Sequence, residues 1–148
     1  MRLYSICAIL LSLAAAGSVT AQSGARARIN HVAIYVMDLK KSGDFYMNVI
    51  GLDSIPEPFH DGKHLWLNIG PGSSMHIIQG SDSIHPYYKN HHTCFTVPSV
   101  DAFTQLLKIR NINWEDVAGR TGAITNRIDG VKQIWLQDHD RFARQMII

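Results

Sequence analysis

Hydrophobic and polar positions alternate with period two along Ile29 to Val36, placing Val32, Ile34 and Val36 on one face and His31, Ala33 and Tyr35 on the other. The pattern predicts a strand covered on one side only. From Leu39 to Ile50 the apolar positions fall at helical spacing, with Asp38 at the N-cap position and Gly51 as a stop. A short strand at Leu52–Ile55 and the irregular Pro56-Glu57-Pro58 segment follow. The turn Asp61-Gly62 then opens a strand from Lys63 to Ile69, with Leu65, Leu67 and Ile69 opposite His64, Trp66 and Asn68. Gly70-Pro71-Gly72 is the next turn, and Ser74 to Gln79 the next strand.

The same order returns after a polar, aperiodic stretch. Asn90 to Val97 predicts a strand with His92, Cys94 and Thr96 on one face; Pro98-Ser99 leads into a helix from Val100 to Arg110, with Phe103, Leu106 and Leu107 as its buried stripe. Strands follow at Asn113–Val117, Gly130–Asp138 and Phe142–Ile148, with a glycine-rich basic loop from Gly119 to Asp129. Lys132, Trp135 and Leu136 fall on Lys63, Trp66 and Leu67 when the halves are aligned, so the chain reads as a duplication. The organisation expected is a module at 29–80, a linker at 81–90 and a second module at 91–148.

The first 21 residues differ in kind. Met1-Arg2, an apolar run from Leu3 to about Val19 and the small residues Val19-Thr20-Ala21 predict a secretory signal peptide cleaved after Ala21. A polar, basic tether at 22–28 then precedes the first module. The expectation is a periplasmic or secreted protein with no stable membrane anchor after cleavage. Removal of Cys7 leaves Cys94 alone, so no intramolecular disulfide forms, and Cys94 reads as a buried structural thiol. The formal charge of +2 becomes +1 when Arg2 is lost, which argues against a nucleic-acid partner and for a small molecule.

Aligning His31 with His92 and His76 with Gln145 yields one pair at strand starts and another near the module ends. Neutral imidazole binds divalent metals and an amide oxygen can add a donor. The competing reading is equally physical: a histidine on a strand is commonly a hydrogen-bonded structural residue. Parity adds Tyr35, His64, Trp66, Gln133 and Trp135 as residues lining a cleft, and Arg120 and Arg127 as loop cations able to clamp a carboxylate or phosphate.

The segments Asn30-His31-Val32-Ala33, Asp38-Leu39-Lys40-Lys41-Ser42, Phe45-Tyr46, Gly51-Leu52 and Gly130 to Asp140 resemble the vicinal oxygen chelate superfamily, also called the glyoxalase/bleomycin resistance/dioxygenase group. The resemblance covers residues 29–148. It implies an α+β fold in which two β-α-β-β-β modules form a curved, partly open barrel of mixed sheet with the helices outside. It also implies a divalent metal (Zn, Ni, Mn or Fe) held by His31, His76, His92 and Gln145. A lyase or isomerase similar to lactoylglutathione lyase is then the expected activity, with the metal as Lewis acid. A protein that sequesters a drug or metabolite and a metal-dependent dioxygenase are the alternatives. The chain departs from the family where a glutamate usually stands, because Gln145 has no basicity, so the catalytic base stays unassigned. Family members also exchange modules between subunits, so a homodimer is as open as a monomer.

Overall fold

The computed structural model describes residues 26–138 and 144–148. The expected signal peptide, most of the tether, the His139 to Arg141 segment and the first two residues, Phe142 and Ala143, of the expected last strand lie outside the described residues. Among the described residues, no helix is long and apolar enough to cross a membrane.

Strand β1 (His31–Val36) is followed by helix α1 (Leu39–Phe45). Asp38 caps the helix in extended backbone, its carboxylate accepting from Lys41 N at 3.0 Å, as its place before the periodic run requires. The last turn, Tyr46–Ile50, widens into a π-helix and ends at Gly51, whose φ of 89° suits glycine. Then come β2 (Ser54–Ile55), β3 (His64–Gly70) and β4 (Ser73–Gln79). The second half repeats this with β5 (His92–Phe95), helix α2 (Val100–Ile109), β6 (Trp114–Glu115), β7 (Thr125–Asn126), β8 (Lys132–Gln137) and β9 (Arg144–Ile147).

The two sheets have the same plan. The first runs β1-β4-β3-β2 and the second β5-β9-β8-β6, with β7 added against β8. In each the module's opening strand lies at the edge, parallel to the closing strand, and the other pairs are antiparallel. The architecture is α+β, with mixed sheets that do not close into a barrel.

One hydrophobic core draws on both halves: Val36, Phe45, Tyr46, Leu67, Met75 and Ile77 from the first, Val100, Leu107, Trp114, Ile134, Leu136 and Ile147 from the second. Each large aliphatic side chain fully buried there contributes roughly 1.5–3 kcal/mol. Arg110, at the end of α2, donates from a guanidinium nitrogen to the Asn48 carbonyl of the π-helical turn, a polar tie across the halves. The opposite face of the first sheet is left to the polar and aromatic residues that parity had set apart.

Candidate functional site

Strand register fixes which residues share that face. His31 on β1 lies opposite Ser74 on β4, which lies opposite Asn68 on β3. The next row is Ala33, His76, Trp66 and Ile55, and the third is Tyr35, Ile78 and His64. A cleft of about 520 Å³ opens over the first two rows, lined by His31, Ile55, Trp66, Asn68, Ser74 and His76 among others.

The rings in these rows are stacked. His76 lies against Trp66 with centroids 3.9 Å apart and planes 8° from parallel, and His31 against His76 at 4.4 Å and 3°. Phe59 continues the series, edge-on to Trp66 at 6.2 Å and tilted over His64 at 4.7 Å. Burial, then the neighbouring His31 and His64, hold the pKa of His76 below the ordinary histidine value. A stacked imidazole that stays neutral keeps its lone pair.

The hydrogen bonds decide which nitrogen carries that lone pair. His31 Nδ1 lies 2.9 Å from Asn30 Oδ1, and His92 Nδ1 lies 3.2 Å from the Lys89 carbonyl. Both partners are acceptors, so Nδ1 is the protonated nitrogen and Nε2 is left open. This is how ligating histidines are oriented. His76 instead places Nε2 at 3.0 Å from Ser74 Oγ. The donor chemistry therefore suits a divalent ion. The positions are another matter, because lone pairs in two parallel stacked rings do not converge on one point. Among the described residues no three His, Cys, Asp or Glu side chains are placed to hold one ion, so His31, His76 and His92 do not gather in a single copy.

The register also shifts the repeat alignment by one residue. Position 145 pairs with Thr93 and Leu136, and position 146, which pairs with Cys94 and Trp135, is the register counterpart of position 76. A one-residue slip exchanges the two faces of a strand. Gln145, expected as the fourth donor, thus stands in register with core positions.

The second sheet's equivalent face carries His92, Cys94, Trp135 and Glu115. Trp135 is 5% exposed, and Lys89, from the linker, lies over its ring at 4.8 Å. The Lys89 ammonium is also 3.0 Å from Glu115 Oε1 and donates to the carbonyls of Asp116 and Val117. Its three donors are all engaged. Sequence parity missed both members of this pair, since Lys89 belongs to an aperiodic linker and Glu115 to a two-residue strand. His92 meets Trp135 edge-on at 6.4 Å.

Other expected residues have local partners. Tyr35 is half exposed, with its phenol over Gly80, whose missing Cβ leaves the room. Gln133 is 7% exposed. Arg127 pairs with Asp129 at 2.5 Å across the β7–β8 turn, and Arg120 with the buried Asp116 carboxylate at 2.6 Å. Backbone and side-chain donors of Arg120 hold the Asp116 carboxyl below the usual carboxylate range. Cys94 is exposed rather than buried, because β5 is an edge strand and the face Cys94 shares with His92 is the exposed one. Partial burial pushes its thiol up, with Arg127 opposing, so the thiolate is disfavoured.

The comparisons with known proteins agree with this fold. The family model described as Glyoxalase/Bleomycin resistance protein/Dioxygenase superfamily matches residues 28–141. The human mitochondrial methylmalonyl-CoA epimerase is 34% identical over 110 residues, covering 64% of this chain and 62% of the relative. The chain spans about three fifths of the length of the curated relatives it matches. Among solved structures, Oxidase ChaP-H2 superposes with a TM-score of 0.67 at 22% identity, covering 82% of this chain and 91% of that one. A lactoylglutathione lyase from Agrobacterium tumefaciens does so with a TM-score of 0.60 at 16% identity, covering 83% and 93%. At such identities the structural matches speak for the fold alone. A family match over most of the chain, on a duplicated fold of the same kind, places this protein in the glyoxalase/bleomycin resistance protein/dioxygenase superfamily.

Proposed function

We propose that this protein binds a divalent metal ion and a small oxygenated carbonyl compound, and shifts a proton at the carbon beside the carbonyl as an epimerase, isomerase or lyase does. The observation that carries the reading is the pair of tautomers at His31 and His92, each with Nδ1–H committed to an acceptor and Nε2 open. Similarity to a protein named as a methylmalonyl-CoA epimerase supports the reaction class. His31 and His92 would hold the metal through their open Nε2 atoms, and it would supply Lewis acidity toward the carbonyl. Asn30 and the Lys89 carbonyl hold the imidazoles in the tautomer such a site needs. Trp66 and Ile55 wall the cleft and exclude water from one side of the substrate. A homodimer, in which the second half of one copy meets the first half of another, is the arrangement proposed for bringing His92 to His31. Export through the N-terminal leader belongs to the same proposal.

Elemental analysis tests the central point. The purified protein, loaded with Zn, Ni, Mn or Fe(II) and desalted, is expected to hold near-stoichiometric metal, and a His31→Ala/His92→Ala variant none. Equal metal in both would remove the reading. A second reading, capture of a ligand without turnover, is favoured by the Trp66–His76–His31 stack beside the cleft. Binding of an aromatic ligand by protein that takes up no metal would select it.

A further inference from the structure

His64 stands one row beyond His76 and Trp66 on the same face of the first sheet, past the residues that line the cleft and beside a second cavity of about 370 Å³, at the end of a ring series that runs through Phe59 to Trp66 in the cleft wall. Its Nδ1 lies 2.9 Å from Asp61 Oδ1 and 3.0 Å from Oδ2. An ionised carboxylate can only accept, so Nδ1 carries the hydrogen and Nε2 the lone pair. Nε2 has no hydrogen-bond partner among the described residues. The carboxylate is itself fixed: Lys63 N donates to Asp61 Oδ1 at 2.9 Å, and Gly62, at φ 71°, lets the chain turn so that Asp61 faces the imidazole three residues on.

The remaining basic groups near the two faces are committed elsewhere. His76 Nε2 meets Ser74 Oγ, Glu115 is ion-paired to Lys89, and position 145 is an amide. His31 and His92 are the residues assigned above to the metal. We propose that Asp61 and His64 are the acid–base pair of this site, with His64 Nε2 taking and returning the proton at the substrate carbon and Asp61 as its positioning residue. The inference rests on the proton-shifting function proposed above and names the group that Gln145 cannot be.

The step balances without an oxidant or reductant. The C–H bond beside the carbonyl breaks, its electron pair moves toward the carbonyl oxygen as an enolate, and the proton passes to Nε2. The resulting imidazolium is neutralised by Asp61. Return of the proton from Nε2 to an adjacent atom restores neutral His64 and gives the isomer; the epimer forms when the enolate turns its other face to Nε2 before the proton returns.

Two readouts test the pair. The first is deuterium uptake from D₂O into methylmalonyl-CoA, followed by mass spectrometry, with the full chain supplied with Zn(II), Ni(II) and Mn(II) in turn. His64→Gln is expected to lower uptake by on the order of 10²–10⁴-fold with metal content and KM unchanged, and Asp61→Asn to lower it less. Undiminished uptake in His64→Gln would overturn the pair while leaving the proposed reaction standing; no uptake in the parent overturns the proton-shift reading and the pair's role with it. The second readout needs no substrate: carbethoxylation of His64 by diethyl pyrocarbonate, mapped by peptide mass spectrometry. Asp61→Asn is expected to slow it several-fold, and equal rates in parent and variant would sink the pair whatever the reaction is. Asp61 is exposed at a turn, so this variant folds even if His64→Gln does not.

Discussion

The imidazole of His76 lies flat against the indole of Trp66, 3.9 Å between centroids, with His31 on its other side at 4.4 Å. Three rings from three strands stand in one stack because the register puts Ala33, His76 and Trp66 in a single row and His31 one row away. An uncharged His76 suits this packing; a protonated one faces His31 and His64 with like charge.

Stability should therefore depend on His76. Its pKa in the folded protein is lowered, first by burial and then by His31 and His64, so the unfolded chain binds the proton more readily. The resulting stabilisation is present above the unfolded value near 6.5 and is lost as pH falls through the folded value. Urea midpoints at pH 7.5 and pH 5.5 are expected to differ more in the parent than in His76→Gln. An identical pH slope in the two proteins would refute this.

Gly80 should resist substitution. Its φ of 153° is a glycine conformation, and a Cβ there would run into the Tyr35 phenol. Gly80→Ala is expected to cost about 1–3 kcal/mol in chemical denaturation. Restoration by a second change, Tyr35→Phe or Tyr35→Leu, would assign most of that cost to the clash rather than to the backbone.

Lys89 lies over the Trp135 ring. Lys89→Met removes the cation over Trp135 and the donors to Glu115, Asp116 and Val117, for an expected loss of about 1–3 kcal/mol. Iodide quenching measures the consequence directly. Trp135 should become accessible in a Trp66→Phe/Trp114→Phe background carrying Lys89→Met, and remain protected in that background alone.

The register makes a prediction about the last strand. With position 145 opposite Leu136 and position 146 opposite Trp135, Met146→Glu should raise the metal affinity of the loaded protein, whereas Gln145→Ala should leave metal content unchanged. Loss of metal in Gln145→Ala would show that the strand pairs one residue away from this register. Isothermal titration with Zn(II) distinguishes the cases.

Much of the fold was legible because its signals are local. Alternation along His31–Val36, the caps at Asp38 and Ser99, and the turns around Gly51, Asp61-Gly62 and Gly70-Pro71-Gly72 each act within a few residues. The duplicated order of elements, and with it the two sheets of like topology, followed from the repeat of those signals. Parity also placed His31, His64, Trp66 and His76 on one face.

What the sequence by itself determined, then, is the family of fold and the side of each strand that is polar. Only the tertiary structure decided which polar residues meet. Strand pairing set Met146 rather than Gln145 beside Trp135, because register depends on partners far along the chain and a slip of one residue reverses every side chain. The linker's fold brought Lys89 onto Trp135 and Glu115, a contact between an aperiodic segment and a two-residue strand that no periodicity announces. The Asx turn at Asp61 closed a carboxylate onto His64, and among the described residues no three His, Cys, Asp or Glu side chains came together to hold one ion. Convergence of donors and bases is a property of three-dimensional packing, to which spacing along the chain contributes only the candidates.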